Sequence, residues 1–451
     1  MKTIKVFFQI IMTVCLLGCF SCEKSPVEII EPDPIDTPDD YTIRGQIYSL
    51  PEDYSLFKEV LKRSGLAKTL ADTTQSYTFF VQDNAAFASA NIHNTTDLLT
   101  KLRAATPDIE NDSVLLAHFI AYRTISGVIE TDSLFKIQEL ETLVDKEKIF
   151  LSLDYGNSPK VLKLNDLNGH LTAPDATLDS ESEYSNLLCS NGIIHKIDGN
   201  IWVKNRKPYR IYWDLAEQPE IMALPEFRNC TSPYYCDYRF YPDDLSEVTW
   251  GSGTNFGSDV RYYPITYQCH PIPETIDDFS AIRQYAYSDY LRFNIYYGII
   301  PWIEFKTPVL IGSAEGTEYN LWLCWRNELY LEPIFTFKQE GYEDQILPEV
   351  FEMHTYMTEP IADGFKQYNA KRHSTVICSH ILGTIKVYNT GRHYLHIGGQ
   401  SRQVDSSGNW DMIQFIPVDE DQFWPRVDIL GNWIGKDVEI CNIFPYEECA
   451  Q

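Results

Sequence analysis

The first part of the chain places apolar residues at helical spacing. Leu56, Phe57, Val60 and Leu61 recur three and four residues apart, which puts their side chains on one face of a helix. Gly65 follows them, and glycine readily ends a helix in the left-handed conformation. This stretch therefore predicts an amphipathic helix that buries one face.

A strand and a second helix follow closely on one another. The apolar run 77–81 predicts a short strand, and Asp83 and Asn84 carry side-chain oxygens suited to cap a helix that includes Phe87. A third helical pattern occupies residues 112–122. Strand, cap and helix thus follow one another within about ten residues, and a further helix comes after them.

Further strands complete this region. Runs 149–153 and 161–164 alternate in polarity and predict a hairpin that turns across Gly156 and Asn157. Residues 191–203, NGIIHKIDGNIWV, combine β-branched apolar side chains with a turn signal at their start, and predict a buried strand. We place the first domain at residues 42–205.

Beyond residue 205 the pattern becomes rich in aromatic side chains separated by glycine and proline. Tyrosine and tryptophan cluster in 209–213 and 234–241, and a short helix fits 214–224. Other stretches that predict strands are 289–305, 319–326, 381–388, 394–397 and 412–418. We therefore expect an all-β domain over residues 206–451, built as one unit or as two subdomains.

The first 41 residues predict export. Two lysines precede an apolar run that is too short to span a bilayer, so residues 1–21 fit a lipoprotein signal peptide. Cys22 is the favoured acylation site, because Ser21-Cys22-Glu23 resembles the junction common in Bacteroidetes lipoproteins; processing there also leaves eight further cysteines, an even set. Cys19 is the alternative, since Leu16-Leu17-Gly18-Cys19 resembles the general lipobox. Residues 22–41 are acidic and proline-rich and predict an extended tether. The segment resembles the start of Bacteroidetes surface lipoproteins, which implies an outer-membrane anchor and exposure at the cell surface rather than in the periplasm.

The charge of the chain limits its partners. The net charge is −27, and it becomes −29 when cleavage of the signal peptide removes Lys2 and Lys5. Such a surface repels phosphate backbones and anionic headgroups. We therefore expect no nucleic-acid partner, and neutral ligands or proteins fit better.

Export makes disulfides possible, and the cysteine spacing suggests two local pairs. Cys230 with Cys236 and Cys441 with Cys449 are each separated by a short loop. Cys189, Cys324 and Cys378 stand apart from other cysteines, and we expect them to be buried free thiols.

Three segments, in this order, resemble the conserved motifs of the fasciclin domain. They are 78–87 (TFFVQDNAAF), 115–120 (LLAHFI) and 191–198 (NGIIHKID). The resemblance implies an α+β domain, in which helices flank a β-sandwich. This fold is associated with adhesion and with protein or glycan contact rather than with catalysis. It gives motif positions to Thr78, Phe87, His118, Asn191, Gly192 and His195. Two turns depart from the family: Gln82 replaces a usual proline, and Ala121-Tyr122 replaces proline-glycine.

Neither motif histidine has the surroundings of a catalytic base. His118 lies on the apolar face of a predicted helix, and His195 lies in an isoleucine-rich strand. A base needs a nucleophile or water to act on and usually an orienting acid. Both histidines are therefore predicted to be structural.

The second domain resembles the jelly-roll, galactose-binding-like modules of carbohydrate-binding proteins. The similar segments are 290–293, 318–325, 391–396 and 411–415. The order of domains also resembles lipoproteins of Bacteroidetes polysaccharide-utilisation loci. Trp250 and Trp410 stand beside glycine- and serine-rich sequences and are candidate stacking platforms for a sugar, with core packing as the alternative. Asp411 resembles an aspartate that helps bind a structural calcium, but one carboxylate is not a calcium site, so a metal remains open.

These expectations lead to three functional hypotheses. The first is a non-catalytic surface lipoprotein that binds a polysaccharide or oligosaccharide beside a SusC/SusD-like uptake complex. The second is an adhesion or structural protein that acts through the fasciclin domain. The third is a glycoside hydrolase, because paired carboxylates that meet only in the fold leave no sequence motif. The sequence has no GxSxG, HExxH or P-loop motif, and no cofactor is expected.

Overall fold

The computed structural model describes residues 41–134, 139–154, 161–167, 174–204, 206–241, 243–251, 265–271, 286–294, 301–326, 333–348, 365–367, 377–399, 407–427 and 433–435. These residues form two compact units. The first unit contains the described residues up to Lys136 together with Leu140–Ile149 and Leu178–Lys204. The second contains those of Ile137–Glu139, Phe150–Thr177 and Asn205–Gln451.

The described residues of the first unit form six α-helices, two of which have the caps predicted at Gly65 and Asp83. They are α1 (Ile43–Ser49), α2 (Ser55–Ser64), α3 (Asn84–Ser89), α4 (Thr95–Ala105), α5 (Asp112–Tyr122) and α6 (Thr131–Leu134). Gly65 ends α2 in the left-handed conformation, and the Asp83 carboxylate accepts from the backbone N–H of Ala86 at 2.8 Å. Helix α5 is capped by Asn111, one residue before the predicted start. No helix among the described residues is long and apolar enough to cross a membrane.

Strands of the first 205 residues confirm the predicted runs. They are β1 (Tyr77–Val81), β2 (Thr124–Ser126), β3 (Glu139–Glu141), β4 (Lys148–Asp154), β5 (Val161–Leu164), β6 (Ala176–Leu178), β7 (Leu187–Cys189) and β8 (Gly192–Gly199). Strand β1 pairs in parallel with β8 and antiparallel with β2, while β7 pairs antiparallel with β8. The predicted hairpin is present as the antiparallel pair β4–β5, with β6 beside β5; its turn lies outside the described residues.

Four phenylalanines form the centre of the first core. Phe57 of α2 lies 5.8 Å from Phe79 of β1 and 6.3 Å from Phe87 of α3, between ring centroids. Phe119 of α5 stacks on Phe87 at 6.2 Å, and all four rings are inaccessible to solvent or nearly so. The helical face predicted from the sequence therefore packs against the strand that follows it.

A fully buried arginine explains one departure from the fasciclin pattern. Arg123 donates from Nη1 to Oε1 of Gln82 at 2.8 Å and from Nε to the carbonyl of Phe119 at 3.2 Å. Its guanidinium also lies 3.7 Å from the centroid of the Phe119 ring. The side chain of Gln82 continues the network by donating to Asn200. A proline at position 82 would supply no acceptor for this buried cation.

From residue 206 onward, the described residues of the second unit form antiparallel strands, one short α-helix and a 3₁₀ helix at Ala286–Ser288. Strand β5 and most of β4 and β6 precede them in the same unit. The elements are β9 (Ile211–Asp214), α7 (Pro219–Met222), β10 (Cys236–Phe240), β11 (Val248–Trp250), β12 (Ile265–Cys269), β13 (Asp289–Asn294), β14 (Trp302–Leu310), β15 (Thr317–Arg326), β16 (Pro333–Lys338), β17 (Gln345–Ile346), β18 (Phe365–Gln367), β19 (Ile377–Val387), β20 (Gly391–Gly399), β21 (Ser407–Pro417), β22 (Arg426–Val427) and β23 (Trp433–Ile434). The stretch 289–305, predicted as one strand, contains the separate strands β13 and β14.

Two sheets make up most of this unit. One has the order β10-β12-β13-β21-β15-β19-β18, with β9 also paired to β21, and the other has the order β11-β14-β20-β16-β17. Their facing side chains interlock: Phe293 of β13 lies edge-on to Phe305 of β14 at 5.5 Å, and Phe335 of β16 lies 5.7 Å from Trp410 of β21. The aromatic-rich sequence thus fills a core between two antiparallel sheets.

Candidate functional site

The fasciclin-like motif 191–198 joins distant parts of the first unit. The Asn191 side chain accepts from the backbone N–H of Ile43 at 2.8 Å and donates to the carbonyls of Leu70 and Asp72 at 2.9 and 3.0 Å. Gly192 has φ +150°, and a Cβ there would lie 2.0 Å from the carbonyl oxygen of Tyr77. Asn191 is therefore required for its side-chain hydrogen bonds. Gly192 is required because a Cβ at this position would clash with Tyr77.

His195 is held in the interior by both ring nitrogens. Its Nε2 lies 2.8 Å from the carbonyl oxygen of Ile129, and its Nδ1 lies 3.2 Å from the backbone nitrogen of Asn186. This arrangement fits a neutral ring that donates from Nε2 and accepts at Nδ1. Burial lowers the pKa of His195, in spite of the opposing hydrogen bond to Ile129, and keeps the ring neutral. No ring nitrogen is left for a substrate.

The other motif residues are also part of the packing. Thr78 is buried in β1, where its hydroxyl donates to the carbonyl of Gly127 at 2.8 Å and accepts from the N–H of Ile129 at 2.9 Å. Phe87 belongs to the aromatic core described above. His118 is half-buried on α5, and burial lowers its pKa. The motif residues thus define the fold of the first unit rather than a reactive site.

Neither candidate sugar platform of the second unit is fully exposed. Trp410 is fully buried in β21, between Phe293 and Phe335, so its assignment as a surface platform is wrong. Gly408 supplies space for this ring, since a Cβ there would lie 2.3 Å from Nε1 of Trp410. Trp250 is half-buried in β11 and packs against the same core.

Cys19 and Cys22, the lipidation candidates, lie outside the described residues.

Asp411 belongs to a cluster of buried carboxyls. Asp214, Asp289 and Asp411, with Arg228, are here called the carboxylate cluster. Nη2 of Arg228 lies 2.7 Å from Oδ2 of Asp214, and Nε lies 3.4 Å from Oδ2 of Asp289. Asp411 accepts from the backbone N–H of Ala286 at 3.0 Å. Among the described residues, no group of three with metal-ligand spacing includes Asp411.

Burial raises the pKa of all three carboxyls. For Asp214 and Asp411 the negative charge of neighbouring carboxylates adds to burial, while Arg228 opposes it. For Asp289 burial outweighs the opposing effects of Arg228 and Tyr267 and raises the pKa to about 6. The three side chains are at most 1% exposed, so they cannot flank a glycosidic bond at the surface.

An exposed aromatic loop stands at the end of the same sheet. Cys230 and Cys236 form a disulfide with a Cα–Cα distance of 5.7 Å, which confirms the pairing predicted from spacing. Residues 231–235 between them are here called the tyrosine loop. Within it, Tyr234 is 78% exposed and Tyr235 is 51% exposed. The disulfide thus holds two tyrosine rings at the surface, beside β10.

The tyrosine loop continues into an aromatic row and a polar row on the adjoining strands. His270 lies 6.1 Å from the ring of Tyr235 and stacks on Tyr290 at 6.0 Å, and its Nδ1 lies 3.1 Å from the carbonyl oxygen of Tyr234. Gln268 faces Asp237 on one neighbouring strand and Tyr290 on the other. Its side chain donates to Asp237 at 3.0 Å and accepts from the hydroxyl of Tyr290. Next to them, Arg239 forms an ion pair with Asp237 at 3.5 Å.

This surface combines ring faces with amide, carboxylate and guanidinium groups within a few residues of each other. Such a combination suits a ligand that presents both C–H faces and hydroxyl groups. The sequence shows the aromatic cluster 234–241, but its alternation predicts only a strand. Tyr234 and Tyr235 lie in the loop that the Cys230–Cys236 disulfide closes, before β10 begins.

Comparison with known proteins identifies the first domain. Residues 52–202 match the family model of the Fasciclin domain, in agreement with the motifs at 78–87, 115–120 and 191–198. This part of the chain therefore matches a fasciclin domain, and mostly-β sheets follow it. A search of curated protein sequences gives no match.

Three solved structures are similar to parts of this chain. The FAS1 domain pair of the insect cell adhesion molecule Fasciclin I is similar at 18% identity with a TM-score of 0.27, over 38% of this chain and 58% of that one. The cleaved adhesin domain K1 of Lys-gingipain from Porphyromonas gingivalis W83 is similar at 12% identity with a TM-score of 0.24, over 41% of this chain and 98% of that one. The insecticidal crystal protein Cry2Aa is similar at 16% identity with a TM-score of 0.20, over 30% of this chain and 19% of that one.

Proposed function

We propose that this chain is a non-catalytic surface protein whose second unit, a jelly-roll-like module, binds carbohydrate through the tyrosine loop. The observation that carries the proposal is the pair of exposed rings of Tyr234 and Tyr235, fixed by the Cys230–Cys236 disulfide beside Asp237 and Gln268. In this proposal the fasciclin domain is the adhesion-type scaffold that carries the binding module.

The chemistry of the loop favours a sugar over other ligands. A sugar ring offers C–H groups to an aromatic face and hydroxyl groups to planar polar side chains. Tyrosine has only two side-chain torsions, so a ring on a closed loop loses little entropy when it binds. The net charge of −27 repels nucleic acid and acidic polymers, which leaves neutral polysaccharides and oligosaccharides as the favoured class.

Retention on insoluble polysaccharides tests the proposal. The mature chain is applied to a panel of neutral plant and host polysaccharides, together with the double variant Y234A/Y235A. We expect retention of the wild-type chain on at least one polymer and loss of it in the double variant. The control is Tyr394→Ala, which removes another exposed tyrosine of the second unit, 46% exposed on β20. Equal retention of all three proteins, or of none, would contradict the proposal.

We also propose that the protein is an outer-membrane lipoprotein at the cell surface, where it acts beside a SusC/SusD-like uptake complex. The support is the signal-like sequence of residues 1–21 and the acidic tether that follows Cys22. Replacement of Cys22 by alanine should abolish labelling with a clickable fatty acid. Persistent labelling would move the site to Cys19. Protease treatment of whole cells should degrade the wild-type protein if it faces outward.

The second candidate function is adhesion to another protein through the fasciclin domain. The family match of residues 52–202 favours it. Crosslinking in intact cells, followed by purification of the full-length protein, separates the two candidates. A protein partner that is captured equally by wild type and by Y234A/Y235A, without polysaccharide retention, would favour adhesion.

The hydrolase hypothesis has the least support, because the carboxylate cluster is buried. Reducing-sugar release from the polysaccharide panel tests it directly. Release above that of a heat-denatured sample would require an enzymatic function.

A further inference from the structure

Three cysteine sulfurs meet beneath the tyrosine loop. The Sγ atoms of Cys230, Cys236 and Cys269 lie within 4.8 Å of one another. Two of them form the disulfide that closes the loop, and the third is a free thiol. Cys269 is 1% exposed, whereas the other two are half-buried.

The register of the sheet makes a second pairing possible. Cys236 of β10 and Cys269 of β12 are direct Cα partners in an antiparallel ladder. Directly facing residues in such a ladder have Cα atoms about 4.5–5.5 Å apart, which falls within the range that a disulfide spans. Cys236 can therefore bond to either neighbour without a change of strand pairing.

We propose that Cys230, Cys236 and Cys269 form a thiol–disulfide exchange site, in which the bond moves from Cys230–Cys236 to Cys236–Cys269. The Cys269 thiolate attacks Sγ of Cys236, a new S–S bond forms, and the Cys230–Cys236 bond breaks. Cys230 leaves as a thiolate and takes up a proton, so no oxidant or reductant is consumed. Sequence spacing alone favours the local pair; the strand register adds the third cysteine.

The surroundings of Cys269 keep the exchange slow at neutral pH. Its thiol donates to the carbonyl of Glu226 at 3.4 Å, which holds the proton on sulfur. Burial is the main cause that raises the pKa of Cys269, to about 11. Since only the thiolate is a nucleophile, the rate should increase about tenfold per pH unit between pH 7 and pH 10.

Exchange would open the tyrosine loop. Residues 231–235 are tied at both ends in the first pairing, but at one end only once Cys230 is released. Tyr234 and Tyr235 would then lose the constraint that holds them at the surface. Only this last effect, on ligand binding, rests on the proposed carbohydrate function; the exchange itself does not.

Disulfide mapping of Cys230→Ser tests the site directly. The variant is purified under oxidising conditions, blocked with N-ethylmaleimide in acid denaturant, digested and mapped by mass spectrometry. We expect the peptides of Cys236 and Cys269 to be linked in most of the sample. Two blocked thiols, or a bond from either residue to another cysteine, would overturn the proposal.

A second measurement uses wild-type cysteines and does not depend on folding of the variant. The folded protein is held at pH 7, 8, 9 and 10 without reductant, and samples are quenched in acid and mapped. We expect linked Cys236–Cys269 peptides to accumulate faster at each higher pH, with Cys230 blocked. The control Cys189→Ser, which alters a cysteine of the first unit, should behave like wild type. Absence of the new link at every pH would overturn the proposal, whatever the outcome of the polysaccharide assay.

Discussion

Oε1 of Gln82 lies 2.8 Å from Nη1 of Arg123 in the buried interior of the fasciclin domain. Burial holds the pKa of Arg123 well below its usual value, because it removes the charged group from bulk solvent. The guanidinium contacts the side chain of Gln82, the carbonyls of Phe119 and Ile201, and the ring faces of Phe57 and Phe119. Gln82 is thus the side-chain acceptor that replaces water for this cation.

Gln82→Leu should destabilise the protein by about 2–5 kcal/mol, because it leaves a buried cation with an unpaired donor. Equilibrium urea unfolding followed by circular dichroism measures the change. The double variant Q82L/R123M removes both partners and should recover most of the loss. A Q82L variant as stable as wild type would show that the contact contributes nothing.

Gly192→Ala should destabilise the first unit more than an ordinary surface change does. The added Cβ would lie 2.0 Å from the carbonyl oxygen of Tyr77, and the φ of +150° is strained for an L side chain. We expect a loss of about 3 kcal/mol or more from the clash and the strain together. Gly341→Ala is the control for strain alone, because its φ is +80° and no atom lies within 4 Å of the added Cβ. Equal losses of stability in the two variants would show that the clash with Tyr77 contributes nothing beyond backbone strain.

The carboxylate cluster should make the second unit less stable as the pH rises. Burial raises the pKa of Asp289 to about 6, above the unfolded value of about 3.9. The neutral carboxyl is therefore favoured by folding, and its contribution is complete below about pH 4 and lost as the pH rises through 6. For Asp289 alone this amounts to about 2–3 kcal/mol. Unfolding free energies between pH 4.5 and 8 measure the slope.

Asp289→Asn provides the matched control for this pH dependence. The amide resembles the neutral acid and does not titrate, so the slope should become smaller by the contribution of Asp289. Glu217, Asp214 and Asp411 remain around Arg228, and the raised pKa values of Asp214 and Asp411 act in the same direction. A stability that increases with pH in the wild type would contradict the assigned direction.

Local signals in the sequence were sufficient for the fasciclin domain. The helical spacing before Gly65, the cap at Asp83 and the strand 77–81 depend on neighbouring residues, and each appears in the structure. The buried Arg123 was not predicted, since its partners Gln82 and Ile201 are far away along the chain.

The second unit shows why the candidate site could not be predicted in the same way. Gly408 beside Trp410 suggested a turn with an exposed ring, but the glycine lies in β21, where it makes room for that ring in the core. Exposure depends on which sheet face a strand presents, and this is set by distant pairing. Tyr234 and Tyr235, within an aromatic-rich strand-like run, instead lie exposed in the loop between Cys230 and Cys236.

The affinity of the mature chain for an oligosaccharide of the polymer that retains it, measured by isothermal titration calorimetry, tests carbohydrate binding by the tyrosine loop more directly than retention does. Wild type is compared with Y234A/Y235A and with Y234F/Y235F. If the rings stack on sugar, the alanine variant should bind at least about tenfold more weakly, as expected for a loss of 1.4 kcal/mol or more. The phenylalanine variant should stay close to wild type. Equal affinity of all three proteins would contradict carbohydrate binding by the tyrosine loop.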